Sequence, residues 1–262
     1  MITFNKIGQY GRFGNQMFQY ATLYSIAKTK KYSFGVPYNN RSDNEYMDFC
    51  LKDCFKNLSA EDSSNVSIIH KAKEKKFEYN AGIFGIPDNT DICGYFQSEK
   101  YFLDYKNDLI KEFDFENQIK LKAGDIRSLT SNEAISIHIR LGDYLNQQNN
   151  HPVCSIDYYN QALKELPDDK LIFIFSDDNE TASKIFQKLN KKIVFPETNN
   201  KYVDMCLMNF CDYHIIANSS FSWWGAWLSN SKKVIAPSKW FGSADHMPKN
   251  WSDIYCKNWF II

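Results

Sequence analysis

From Ala134 to Ala236 short apolar runs alternate with helical patterns, and no other feature of this 262-residue chain constrains its fold as tightly. AISIHIR (134–140), KLIFIFSDD (170–178), KIVF (192–195), YHIIA (213–217) and KKVIA (232–236) read as strands. Helical patterns cover 155–166, with Ser155 as the cap, then 180–189 and 202–211, and a short helix starts at Ser222. Strands that are apolar at nearly every position need cover on both faces, and a helix between successive strands is the crossover that parallel pairing requires. The pattern predicts an α/β fold whose C-terminal half is a doubly wound parallel sheet.

The N-terminal half opens in the same manner. Strand ITFNKI (2–7) is followed by a loop with Gly8, Gly11 and Gly14. A helix begins near Asn15, with Phe18, Ala21, Tyr24 and Ala27 on one face. Farther on, DICGYF (91–96) reads as a strand and EKYFLDYKNDLIKEF (99–113) as a helix, while 38–65 has no sustained period. The junction is placed within 120–133. The expected organisation is an N-terminal α/β domain over 1–130, a C-terminal Rossmann-like domain over 131–245 and a tail over 246–262, the two halves facing each other across a cleft.

Composition narrows the function classes. Basic and acidic residues balance at 31 each, so nothing favours nucleic acid or anionic lipid over other partners, and any anion must be gripped locally. No apolar run approaches the ~18 residues of a membrane span, and the N-terminus has no signal-peptide pattern, so the expected location is cytoplasmic. The seven cysteines are irregularly spaced and read as buried free thiols, and no metal-ligand spacing is visible. Only four basic residues are arginine, namely Arg12, Arg41, Arg127 and Arg140, so positions that use Arg are expected to need its planar fork.

Four segments carry the chemistry. Gly11-Arg12-Phe13-Gly14-Asn15-Gln16 lies between a strand and a helix, where glycine permits close backbone approach and the helix start attracts an anion; a plain tight turn is the alternative. It is not a dinucleotide fingerprint, because the G-x-G-x-x-G spacing is missing. His138-Ile139-Arg140-Leu141-Gly142-Asp143-Tyr144 leaves the carboxyl end of a strand, the end that faces the ligand crevice in an open sheet. A guanidinium there can hold phosphate oxygens bidentately, or Arg140 and Asp143 can form a structural ion pair with His138 in the core. Ser176-Asp177-Asp178 ends another strand, and one aspartate is expected to bind a ligand while the other caps a helix. Asn218-Ser219-Ser220-Phe221-Ser222-Trp223-Trp224-Gly225 offers hydroxyls and helix N–H groups to a second phosphate, with an aromatic cluster suited to wall a base or sugar, a role compatible with a capped helix whose tryptophans are buried. All three C-terminal loops follow strands of one sheet and therefore converge on one rim.

Together GRFGNQMFQYA (11–21), GYFQSEKYF (94–102), ISIHIRLGDY (135–144), FSDD (175–178), NSSFSWWGAWL (218–228) and IAPSKWF (235–241) resemble the inverting α-1,2-fucosyltransferases of glycosyltransferase family 11. The resemblance implies a GT-B-like pair of Rossmann-type halves and GDP-fucose as co-substrate, with no cofactor and no required metal. It also implies an oligosaccharide or glycolipid acceptor of galactoside type, no nucleic acid and no transmembrane segment, with possible peripheral association with a membrane. Arg140, Ser219, Ser220 and Phe221 are expected at the diphosphate. Asp177 or Asp178 with His138 is expected at guanosine. Arg12, Gly14 and Asn15 are expected at the β-phosphate and fucose, and Asp143 is the candidate general base. Arg140, Asn15 and Asp143 form the expected catalytic set.

The family usually carries His-x-Arg-Arg-Gly-Asp, and Leu141 stands here in place of the second Arg. Protein O-fucosyltransferases are similar at this point and at Gly-Arg-Phe-Gly-Asn-Gln. Another GDP-deoxysugar or linkage is one alternative, and a binding protein without turnover is another. Strand alternation turns Leu141 away from Arg140, which predicts an apolar contact beneath the loop and tolerance of an arginine there.

Overall fold

The computed structural model describes residues 1–38, 49–186, 189 and 191–262; Arg41, part of 38–65 and part of the expected helix over 180–189 lie outside them. The chain divides into two compact units, the first formed by Met1–Glu116 with Asn250–Cys256 and the second by Asn117–Lys249 with Lys257–Ile262.

In the first unit five parallel strands, β1 (Ile2–Thr3), β2 (Phe34–Val36), β3 (Glu61–Asp62), β4 (His70–Lys73) and β5 (Thr90–Cys93), lie in the order β3-β2-β1-β5-β4. Successive strands run outward from β1 in one direction and β5 returns on its other side, so the winding switches between β1 and β5. Helix α1 (Phe13–Lys30) follows β1 and buries every residue from Met17 to Ala27. It ends at Lys31 in the left-handed region, whose N–H closes onto Ala27 and Lys28 carbonyls. The segment expected as one helix over 99–113 is two 3-10 turns followed by α2 (Lys106–Glu112). Tyr101 and Phe102 are both buried, and Phe102 at φ −144° breaks the helix so that two adjacent aromatics enter the core.

The second unit begins with α3 (Asn117–Arg127) and holds six parallel strands: β6 (Ala134–Ile139), β7 (Leu171–Ser176), β8 (Ile193–Val194), β9 (Tyr213–Ile215), β10 (Lys233–Ala236) and β11 (Phe260–Ile261). Their order is β11-β10-β9-β6-β7-β8, the doubly wound arrangement with its switch between β6 and β9. Helices α4 (Ile156–Lys164), α5 (Asn179–Phe186), α6 (Lys201–Asn209) and α7 (Ser220–Leu228) connect them. As expected, Ser155 caps α4 through the Tyr158 N–H. Arg127 uses its full fork, donating to the carbonyls of Phe210, Thr130 and Asn132 and to the Asp212 carboxylate. The last residues supply β11, which pairs with β10, so the tail extends the second sheet.

Candidate functional site

Ligands of open parallel sheets bind at the carboxyl ends of the strands, where the winding reverses. In the second unit that place is flanked by the loops after β6 and β9, which carry the second and fourth sequence motifs.

Arg140 follows β6 directly, and its guanidinium is held by two carboxylates. Nη2 bonds Asp143, three residues on, and Nη1 bonds Asp177 Oδ2 at 2.6 Å. Its Cζ lies 5.2 Å from the centre of the Tyr144 ring, and the Tyr144 hydroxyl donates to the Asn218 carbonyl at 3.2 Å. That chain of contacts ties the arginine loop to the start of α7, one residue before the cap. Asp177 holds the loop as well, accepting from the Leu141 N–H at 2.9 Å, and Gly142 leaves room for it, since a Cβ there would sit 2.2 Å from Asp177 Oδ2.

Of the adjacent aspartates, Asp178 is the cap. It accepts from the Thr181 N–H and hydroxyl at 3.0 and 2.7 Å, and those bonds lower its pKa. Asp177 is the one that meets Arg140. Asp143 is engaged by the same guanidinium through Oδ1, which makes it an orienter of Arg140.

His138 lies two residues before Arg140 and its ring is buried 5.7 Å from that of Phe221. Burial, helped by the Arg140 charge, pushes its pKa down to about 3, so the imidazole is neutral. Its Nδ1 is buried with no hydrogen-bond partner among the described residues.

Helix α7 starts on Ser219, whose hydroxyl accepts from the Phe221 N–H at 3.3 Å. Asn218 is a clamp: its amide donates to the carbonyls of Pro152 and Trp240 at 2.9 and 3.0 Å. Trp223 and Trp224 are fully buried against each other and Trp227 and fill the core behind the helix start. Phe221 is the half-buried aromatic at this helix start.

In the first unit the switch lies between β1 and β5. Gly11 sits at φ +91° and Arg12, exposed, is the N-cap residue of α1 without a side-chain capping bond; Gly14 is buried in the first turn. The Asn15 side chain lies over Gly11 and accepts from Gln97 Nε2 at 2.6 Å. Gln97 belongs to the loop after β5 and was assigned no role from sequence. Neither was Glu74, which accepts the N–H groups of Tyr95 and Phe96 at 2.7 and 3.0 Å; burial raises its pKa to about 7 against the pull of those bonds. Phe96 is held at φ 51°, a conformation that costs a non-glycine residue on the order of 1–3 kcal/mol. Gly11→Ala meets the same penalty and adds a clash, because its Cβ would lie 1.9 Å from Asn15 Nδ2. We expect it to lose about 1–2 kcal/mol in urea unfolding and to lose activity beyond that by displacing Asn15. Unchanged activity would show that Asn15 does not need its place over Gly11.

Among the described residues no group of three or more His, Cys, Asp or Glu is arranged to hold a metal ion, and no helix is long and apolar enough to cross a membrane. The whole chain, residues 1–262, matches the family described as Glycosyl transferase family 11. It is 33% identical over 278 residues to the alpha-1,2-colitosyltransferase of Escherichia coli, covering 92% of this chain and 95% of that protein. It is 27% identical over 281 residues to the O-antigen biosynthesis glycosyltransferase WbnK of Escherichia coli, covering 88% and 93%. In three dimensions it resembles the fucosyltransferase NodZ from Bradyrhizobium with a TM-score of 0.58 at 13% identity, over 87% of this chain and 93% of that one, which is a likeness of fold. Two α/β units with parallel sheets make the architecture GT-B-like.

Proposed function

The chain belongs to glycosyl transferase family 11, and on that premise we propose that it moves L-fucose from GDP-β-L-fucose to a hydroxyl of a galactoside-type acceptor, forming an α-1,2 linkage. The observation that carries the reading is that the Arg140 loop is tied through Tyr144 to the start of α7 at the switch between β6 and β9. A diphosphate leaving group gains negative charge as its bond to the sugar breaks, and a guanidinium with helix N–H groups stabilises that charge where it develops.

In this proposal Arg140, Ser219, Ser220 and Phe221 bind the diphosphate. His138, through its unpartnered Nδ1, and Asp177 serve the guanosine, while Asp178 acts through the α5 cap it makes. Arg12, Gly14 and Asn15 serve the sugar end of the donor. The acceptor oxygen attacks the anomeric carbon from the face opposite GDP, and the C1–O bond to the β-phosphate breaks with its electron pair leaving on GDP. The acceptor proton passes to a base, for which Asp143 is the candidate. The reaction inverts the β-linked donor to an α-linked product.

Colitose is L-fucose without its 3-hydroxyl, and the similarity to a colitosyltransferase makes GDP-colitose the rival donor. A site that hydrogen-bonds the 3-hydroxyl rejects the deoxy sugar strongly, whereas a site built for colitose separates the two weakly. Competition between the two donors on lactose, with the product linkage read by NMR, tests the reading. A clear preference for GDP-fucose and an α-1,2 product are expected, and preference for GDP-colitose or another linkage contradicts it. Because the leaving charge is assigned to Arg140 and helix N–H groups, activity is expected to persist in EDTA. Loss in chelator with rescue by Mn²⁺ or Mg²⁺ contradicts that assignment.

A further inference from the structure

The first unit displays an aromatic pair at its own switch point. Tyr10 lies on the loop after β1 and Tyr95 on the loop after β5, two neighbouring parallel strands, and their rings meet edge to face with centroids 6.0 Å apart. Tyr95 is 42% exposed, although every neighbour from Gly94 to Glu99 is buried. The backbone around it is fixed at several points. Glu74 accepts the N–H of Tyr95 itself and of Phe96, and a Cβ on Gly94 would collide with that carboxylate. Phe96 is held in the left-handed region with its ring buried against Phe4 and Tyr101. On the other loop, the Tyr10 carbonyl accepts from the buried Gln19 amide at 2.9 Å.

A strained backbone anchored on a half-buried carboxylate is a costly way to leave one large aromatic ring in solvent, and such strain collects at ligand sites. Gln97, two residues after Tyr95, donates to Asn15, a contact that uses one polar atom of each amide. An apolar surface flanked by oriented amides suits a ligand with one apolar face and a rim of hydroxyls. A β-galactopyranoside has this character, since its axial 4-hydroxyl leaves the C3–H, C4–H and C5–H bonds together on one face.

We propose that Tyr95, braced by Tyr10, is the platform on which the acceptor galactoside stacks, with Gln97 oriented toward its hydroxyls. The proposal rests on the galactoside transfer inferred above and names where that acceptor is held. Glu74 is then a positioning residue, acting through the Tyr95 and Phe96 N–H groups.

Saturation-transfer NMR with lactose, on protein with and without GDP, reads the contact without requiring turnover. The wild type is expected to pass saturation most strongly to galactose H3, H4 and H5. Tyr95→Ala is expected to lose at least about fivefold of that signal and Tyr95→Phe to keep it, with GDP affinity by calorimetry unchanged in both. The platform is overturned if lactose receives no saturation from the wild type, if Tyr95→Ala keeps the signal within twofold, or if Tyr95→Ala weakens GDP binding instead. Failure of the underlying reading looks different: the wild type then binds no GDP, or transfers neither fucose nor colitose to any galactoside.

Discussion

Arg140→Ala is expected to lower transfer by at least about a hundredfold, the equivalent of roughly 3 kcal/mol for a hydrogen-bond donor removed from a developing charge. Arg140→Lys is expected to restore little of it. In the structure the guanidinium spans two carboxylates, Asp143 on Nη2 and Asp177 on Nη1, and faces the Tyr144 ring. An ammonium is a point charge and cannot satisfy these directions together while also binding phosphate oxygens. The check is steady-state kinetics with GDP-fucose, and the loss should fall on kcat as well as on kcat/KM, because the charge it stabilises exists only as the bond breaks. A lysine variant near wild-type activity would remove Arg140 from this role.

Leu141→Arg is expected to unfold the second unit or leave it insoluble. Leu141 is 2% exposed and lies in the apolar cluster formed with Ile139, Tyr158, Tyr159, Leu163 and Ile172. This corrects the expectation that an arginine is tolerated there. Alternation turns Leu141 away from Arg140, but the space beneath the loop is closed apolar core. A buried charge without a partner costs several kcal/mol, a large share of the 5–15 kcal/mol that ordinarily separates folded from unfolded. Urea unfolding of Leu141→Arg beside Leu141→Met checks it: the methionine variant should stay within about 1.5 kcal/mol of wild type. An arginine variant with the same midpoint as wild type would contradict the burial argument.

The second sheet was legible because its strands are buried on both faces, so β6, β7, β9 and β10 announce themselves as apolar runs and appear within a few residues of the expected bounds. β3 and β4 were not, because they form the two edges of the first sheet. Glu61–Asp62 is fully exposed and His70–Lys73 nearly so, and an edge strand with no buried face leaves no apolar pattern to read. The same distinction governs the candidate site. Arg140, His138, Ser219 and Phe221 sit in motifs beside clear strands, and the structure brings them to one end of one sheet. Gln97 and Glu74 act on partners 82 and 21 residues away in sequence, Asn15 and Tyr95, and no local spacing encodes such a contact. The division of labour between Asp177 and Asp178 was equally invisible, since it depends on which carboxylate meets Thr181 and which meets the guanidinium.

A crystal structure of the wild-type protein with GDP-fucose decides whether Arg140 and the start of α7 hold the donor's diphosphate. Diphosphate oxygens are expected within hydrogen-bond distance of the Arg140 guanidinium and of Ser219, Ser220 or the Phe221 N–H, with His138 Nδ1 partnered by the nucleotide. A donor bound elsewhere, with Arg140 still closed on Asp143 and Asp177 and no phosphate at α7, would contradict that expectation.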